Sequence, residues 1–213
     1  MKKFILAATL LLPLAQAQEA PAQTTQTAVS GFKTLEPLSK DRILKFTEAQ
    51  WVINPNKKYR AVLNTNKGNI TVELYPKIAP KAVNSFVFLS LNHYYDGVVF
   101  HRVLDNFMAQ TGDPTGTGTG GPGYKYGLEI EEGVLFNSAG VLGVANSGGR
   151  STNGSQFFIT FAPATWLNYG YTIFGKVLEG MDVVKNIQKI DPQKPDPKIK
   201  PDFINTVTIL ESE

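Results

Sequence analysis

Phe100-His101-Arg102-Val103-Leu104-Asp105-Asn106-Phe107-Met108-Ala109-Gln110-Thr111-Gly112-Asp113 is the stretch on which the reading of this chain turns. Side chains alternate faces along a strand, so Arg102 and Leu104 point one way and His101 and Val103 the other. Asp105-Asn106 has turn chemistry, and after it Phe107 and Gln110 come back toward Arg102. An arginine, large apolar side chains and an amide therefore meet within a short span. Read alone, a strand–turn–strand with an exposed arginine is the plainer account. Ordinary core is likewise the plainer account of Phe107, Met108 and, further on, Phe158.

Outward from this stretch the chain is rich in short strands. Tyr59 to Thr65 and Asn69 to Tyr75 are β-rich runs around Asn66-Lys67-Gly68, which reads as a hairpin. Pro80 suits the first turn of a helix reaching about Leu91, with Val83, Phe86, Val87 and Ser90 on one face. Further strands are expected at Val98 to Leu104, Gly140 to Ala145, Gln156 to Phe161, Thr172 to Val177 and Phe203 to Leu210. A second helix is expected at Met181 to Lys189. Many short strands with few helices predict a mainly β fold, a closed antiparallel barrel, because closure removes exposed edges. Val62, Leu74, Phe100 and Ile159 are expected to fill its interior.

The N-terminal part has a different composition. Lys2-Lys3, the apolar run Phe4 to Leu14 and Ala15-Gln16-Ala17 read as a secretory signal over residues 1–17, too short to span a bilayer. The protein is therefore expected to be exported, to a periplasm or beyond the cell, with no stable membrane anchor once the signal is cleaved. Residues 18–34 read as a flexible tether, rich in Gln, Thr and Ala up to Ser30. Residues 35–58 read as an arm packing on the main domain, with a short helix capped by Ser39 and contacts from Ile43, Leu44 and Phe46. The main domain spans 59–213.

Composition narrows the chemistry. The 213 residues carry a net charge of +3; without Lys2 and Lys3 the 21 basic residues become 19, against 18 acidic. That near-neutrality supports no nucleic-acid partner. There is no cysteine, so thiolate catalysis and Cys-ligated metal are excluded. The two histidines, His93 and His101, do not have the spacing of a metal site, and no metal or cofactor is expected. Gly116-Thr117-Gly118-Thr119-Gly120-Gly121 contains G-x-G-x-x-G, but Pro122-Gly123 follows where a dinucleotide site needs a helix. Such a loop equally lets a peptide backbone lie close to the surface. No G-x-S-x-G elbow occurs, and Ser155 has no evident base.

The Phe100–Asp113 stretch resembles the F-H-R-[IV]-[IL]-x-x-F-M-x-Q-x-G-D signature of cyclophilins, the cyclosporin-binding prolyl isomerases. Two more signatures follow in order. One is Gly143-Val144-Ala145-Asn146-Ser147 with Asn153-Gly154-Ser155-Gln156-Phe157-Phe158-Ile159. The other is Trp166-Leu167 with Thr172-Ile173-Phe174-Gly175-Lys176-Val177 and Gly180-Met181. The resemblance covers about Tyr59 to Leu210. It implies an eight-stranded barrel capped by two helices, with the site in a groove on the outer face. It implies that Arg102 is catalytic and that Phe107, Met108, Phe158 and Leu167 form the proline pocket. His101, Gln110, Gly118, Ala145, Asn146, Ser147, Gln156 and Trp166 would line the groove for the flanking peptide, with Tyr171 at its margin. Proline-containing polypeptides are the implied substrates, cyclosporin the implied inhibitor, and a monomer is expected. Two departures stand at the margin. The loop Gly148-Gly149-Arg150-Ser151-Thr152 is one residue longer than the common form, and Tyr171 stands where many members have His.

The chemistry fits these residue types. Rotation about a peptide C–N bond faces a barrier of about 18–20 kcal/mol because of its partial double-bond character. Twisting frees the prolyl nitrogen lone pair, so a cationic donor aimed there binds the twisted state better than the planar one. Arginine stays charged and presents a rigid fork of donors. Two other readings compete: a proline-segment-binding chaperone or scaffold with little turnover, and a barrel holding a small ligand internally. Arg102 argues against the first, since a pure binder needs no transition-state donor. The large interior side chains argue against the second.

Overall fold

The computed structural model describes residues 31–213. The expected signal, residues 1–17, and the expected tether as far as residue 30 lie outside the described residues. Nine strands form one antiparallel sheet: β1 (Phe32–Thr34), β2 (Tyr59–Thr65), β3 (Gly68–Leu74), β4 (Arg102–Leu104), β5 (Met108–Thr111), β6 (Val141–Val144), β7 (Phe157–Thr160), β8 (Ile173–Glu179) and β9 (Ile204–Ser212). Their spatial order is β1-β9-β2-β3-β8-β6-β7-β5-β4. Among the described residues two helices accompany them, α1 (Pro80–Leu91) and α2 (Met181–Asn186), with a 3₁₀ turn at Thr165–Leu167.

The expected closed eight-stranded barrel needs correction, because the hydrogen-bonded ladder is open, with β1 and β4 at its ends. The reason lies at the outer edge of β9. One end of that edge is taken by β1, paired Phe32 to Ser212 and Thr34 to Leu210. At the other end only a single bridge, Val99 to Phe203, joins the run leading into β4. Gly97 N–H to Ile204 O (2.7 Å) and Phe100 N–H to Asp202 O (2.8 Å) support that bridge without extending it into a ladder. Strand β1 also corrects the tether boundary: Phe32–Thr34, expected to be flexible, are an edge strand. The Arg60 guanidinium lies 4.4 Å from the Phe32 ring centroid.

Alternation explains the packing. Along β2, Tyr59, Ala61 and Leu63 are buried while the residues between them are half-buried. Val62, expected inside, is therefore on the other face, whereas Leu74, Phe100 and Ile159 are in the core as expected. Helix α1 begins at Pro80, whose missing N–H costs nothing there. The N–H groups of Lys81 and Ala82 instead reach the Glu129 carboxylate at 2.9 and 2.8 Å. Residues Ala82 to Leu91 are all buried, because α1 is covered on two sides. Phe86 packs on Phe157 and Phe174 of the sheet, 5.4 and 5.6 Å between centroids. The arm covers the opposite side: Phe46 meets Phe88 edge-on at 4.8 Å, and Val52 N–H donates to Asn84 Oδ1 at 2.7 Å. The arm thus packs on the domain but contains no helix between Ser39 and Phe46. Its backbone donors are used by the domain, with Leu38 and Ile43 donating to Leu91 O and Asn92 O. Helix α2 stops at Asn186 rather than Lys189, because Ile187 turns extended into the core and Ile190 pairs with Val103.

Candidate active site

Strand register builds the site. Arg102 on β4 is paired with Gln110 on β5, Gln110 with Phe158 on β7, and Phe158 with Gly143 on β6. Directly paired residues share a face, so one row crosses four strands. Leu104 and Met108, two residues along, join the same face. The opposite face carries Val103, Ala109, Leu142, Val144, Phe157 and Ile159, all in the main core. The sheet therefore carries apolar side chains on both sides here, with Arg102 and Gln110 as the polar end of the outer row. The second apolar cluster gathers Met108, Phe136, Val141, Phe158, Ala164, Leu167 and Ile173, with Leu104, Phe107, Ala145 and Tyr171 packed against it. All four side chains expected in the proline pocket, Phe107, Met108, Phe158 and Leu167, belong to this cluster rather than to the main core.

Arg102 sits at one end of the row. Its Nη1 donates to Gln110 Oε1 at 3.4 Å, and its Cζ lies 5.6 Å from the Phe107 ring centroid. Phe107 is in turn 5.6 Å from Trp166, whose side chain stands at the rim, 68% exposed. Among the described residues no carboxylate pairs with Arg102. Its charge and most of its donor fork are uncommitted.

From Gln110 a polar chain runs the other way. Gln110 Nε2 donates to Gln156 Oε1 at 3.0 Å, and Gln156 Nε2 donates to Gly118 O at 3.0 Å and Gly120 O at 2.9 Å. The glycine-rich loop is folded around Asp113. That carboxylate accepts from Thr115 N–H and Oγ1 (both 2.7 Å), Gly118 N–H (2.6 Å) and Gly120 N–H (3.0 Å). Burial by itself raises the Asp113 pKa, but the bonds from Thr115, Gly120 and Gly118 outweigh it and bring it down to about 2. Gly120 has no room for a Cβ, which would run into Asp113 Oδ1 and come within 2.8 Å of Thr115 Oγ1.

The other expected residues fall around a cavity of about 540 Å³ beside the row, lined by Gln110, Gly118, Ala145, Asn146, Ser147 and Gln156 among others. Ala145 N–H donates to Gln156 O at 2.9 Å. Asn146 Nδ2 donates to Gly170 O at 3.0 Å, while its Oδ1 accepts from Gly148 N–H. Ser147 is exposed. Tyr171 stacks edge-on against Phe158 at 5.7 Å. His101 is the outlier. It is buried, and among the described residues neither ring nitrogen has a hydrogen-bond partner. A Cβ placed on Gly118 would lie 3.5 Å from His101 Cδ2, so the imidazole lies behind the loop rather than in the open groove. Burial lowers its pKa, against an opposing pull from Asp113.

Residue-by-residue reading of the sequence missed three contributors. Phe136 stacks beneath Phe158 at 5.6 Å. Gly143 clears space for both rings, since a Cβ there would run into Phe158 Cζ and sit 2.9 Å from Phe136 Cζ. Asp113 organises the loop. Only Asp113 left a local signal, an aspartate followed by Thr and Gly at turn-forming spacing.

The sequence model described as "Cyclophilin type peptidyl-prolyl cis-trans isomerase/CLD" matches residues 60–209. The chain belongs to the cyclophilin family. It is thus a peptidyl-prolyl cis–trans isomerase, with a mainly β cyclophilin-like fold. "Peptidyl-prolyl cis-trans isomerase-like 1" of Aspergillus fumigatus is 52% identical over 129 residues, 59% of this chain and 80% of that protein. The protein of the same name from Gibberella zeae is 43% identical over 155 residues, 71% of this chain and 95% of that protein. A Cryptosporidium parvum cyclophilin-type isomerase, solved in the presence of the dipeptide Ala-Pro, has a TM-score of 0.65 and 36% identity. That comparison covers 70% of this chain and 98% of the other. The arm at 35–58 lies before the residues that the family model matches.

Proposed function

We propose that this cyclophilin accelerates rotation of X–Pro bonds in exported proteins, and that Arg102 is the group that stabilises the twisted amide. The single observation that carries the mechanism is the row Arg102–Gln110–Phe158 across β4, β5 and β7, with the Phe107 ring beside the guanidinium. A proline ring seated on Phe107, Met108, Phe158 and Leu167 brings its nitrogen toward Arg102. As the amide twists, the nitrogen lone pair is released, and an uncommitted Arg102 N–H donates to it. The planar substrate lacks that lone pair, so the interaction strengthens only along the rotation, which is the condition for catalysis. Gln110, Ala145, Asn146, Ser147 and Gln156 hold the flanking backbone, so that rotation is confined to one bond. No proton is transferred and no covalent bond is made or broken.

That the Cryptosporidium parvum relative was solved in the presence of the dipeptide Ala-Pro supports proline-containing polypeptides as the substrates. The basic start, apolar run and Ala15-Gln16-Ala17 support export and release of a chain beginning at Gln18. In this reading the mature protein is a monomer in a periplasm or outside the cell, and its groove takes cyclosporin at Trp166.

The test is an exchange measurement on the purified mature chain. Cis and trans forms of an X–Pro peptide are followed by NMR with and without protein. Enhanced exchange is the expected result, and exchange at the buffer rate would overturn the reading. Intact mass of the exported protein tests the processing. A mass beginning at Met1 would remove the export proposal and leave the mechanism standing.

A further inference from the structure

The arm at 35–58 does more than cover α1. Phe46 N–H donates to Pro122 O at 2.7 Å, and Lys45 Nζ donates to Gly121 O at 2.9 Å. A Cβ on Gly123 would lie 3.4 Å from Phe46 N and closer still to Phe46 O. The arm is thus seated against the far end of the glycine-rich loop, the same loop that Asp113 and Gln156 hold at its near end. Lys45 consequently lines the 540 Å³ cavity beside the catalytic row, together with Lys125. Both lysines are exposed. The described residues lining this cavity include two cations and no Asp or Glu. The remainder are glycines, small polar side chains, Pro122, Ala145 and Tyr124, none of which neutralises a lysine.

We infer that the arm completes the substrate groove and that Lys45, with Lys125, makes it select an acidic side chain near the proline of the client. The inference rests on the isomerase reading above, since the cavity shares Gln110 and Gln156 with the row that carries the reaction. A substrate whose proline ring lies on Phe158 places a nearby residue over Gln110 and into the cavity. A carboxylate there meets the Lys45 ammonium. That ammonium gives one hydrogen to Gly121 O, which fixes its position and leaves its other donors for substrate. An exposed ion pair amounts to a factor of about 1.5 to 5 in binding. With two lysines the expected preference for Glu over Gln is roughly 2- to 10-fold in kcat/KM. It weakens with added salt, because charges at this exposure are screened over ~8 Å at physiological ionic strength.

The experiment uses the mature chain and peptides in which Glu, Gln or Lys is placed in turn at each position flanking a single proline. At one position kcat/KM should rank Glu, then Gln, then Lys, and 0.5 M NaCl should compress the range. Lys45→Met should lower the Glu-to-Gln ratio, and Lys45→Glu should reverse it. Lys125→Met is the second variant and should reduce the ratio independently. Isomerisation of the Gln peptide with equal rates for all three side chains at every position would overturn this inference and leave the isomerase reading intact. Absence of catalysis on the Gln peptide as well would overturn the isomerase reading itself. A preference that survives in the Lys45→Glu variant would remove the arm from the groove.

Discussion

Replacing Asp113 with Asn should loosen the glycine-rich loop and cost both stability and activity, in a way that pH reports. The Asp113 carboxylate accepts from Thr115, Gly118 and Gly120 and is fully buried. An asparagine keeps one oxygen and turns an NH₂ toward donors, so two N–H groups lose their acceptor. Each unsatisfied buried donor costs about 1–3 kcal/mol. The titration supplies a separate figure. A carboxyl held at about 2 instead of 3.8 contributes roughly 2 kcal/mol of folding free energy at neutral pH. The folded pKa is depressed, so this stability is present above pH 3.8 and is lost as pH falls toward 2. The expected result is a wild-type advantage of about 2–4 kcal/mol at pH 7 that shrinks below pH 4. Urea denaturation of both proteins across that range measures it, and the subtraction removes acids common to both. Gln156 donates to the carbonyls of the same loop, so kcat/KM should also fall. A pH-independent difference, or an Asp113→Asn protein as stable as wild type at pH 7, would refute the reasoning.

Gly143→Ala should press Phe158 out of place, because the new methyl has no room beside Phe158 and Phe136. Overpacking of this kind costs about 1–3 kcal/mol. Thermal melts should show the loss, the added change Phe158→Leu should recover part of the stability, and a full-strength pocket in the single variant would contradict the packing argument. Trp166→Ala should weaken cyclosporin binding, read by calorimetry, much more than it weakens catalysis, since the exposed indole stands at the rim, packed beside the Phe107 ring. Normal catalysis with no cyclosporin binding by the wild-type chain would show that the role implied for Trp166 does not hold.

Much of the site was legible because its pieces are local in sequence. Arg102, Phe107, Met108 and Gln110 come from one hairpin, and alternation together with the Asp105-Asn106 turn brings them together without long-range knowledge. Asn106 does adopt a positive φ of 56°, as a turn residue can. Phe136 and Gly143 were not legible in the residues themselves. Their roles exist only where β6 and β7 pair and the segment around residue 136 folds beneath them. Alternation without register also misplaced Val62, because a shift of one residue inverts every side chain. The open ladder escaped for a related reason. Residues 97–100 have strand composition, yet they meet the start of β9 through one bridge, Val99 to Phe203, and a few backbone bonds rather than a ladder. The arm defeated helix periodicity for another reason: its backbone donors are taken by Leu91, Asn92, Asn84 and Pro122, so it follows the surface it covers instead of closing on itself.

Catalysis through Arg102 is tested most directly by steady-state kinetics of Arg102→Ala on an X–Pro peptide. Arg102 makes one long bond to Gln110 and no ion pair among the described residues. Its loss should change stability by no more than about 0.5 kcal/mol, and circular dichroism should show an intact fold. Losing a preorganised transition-state donor costs about 2.7–4 kcal/mol, or roughly 10²–10³ in rate, so kcat and kcat/KM should fall together. Arg102→Lys should recover only part of the rate, because an ammonium lacks the guanidinium fork. A folded Arg102→Ala protein with a raised KM and most of its kcat would contradict the account, and Arg102 would then only hold substrate.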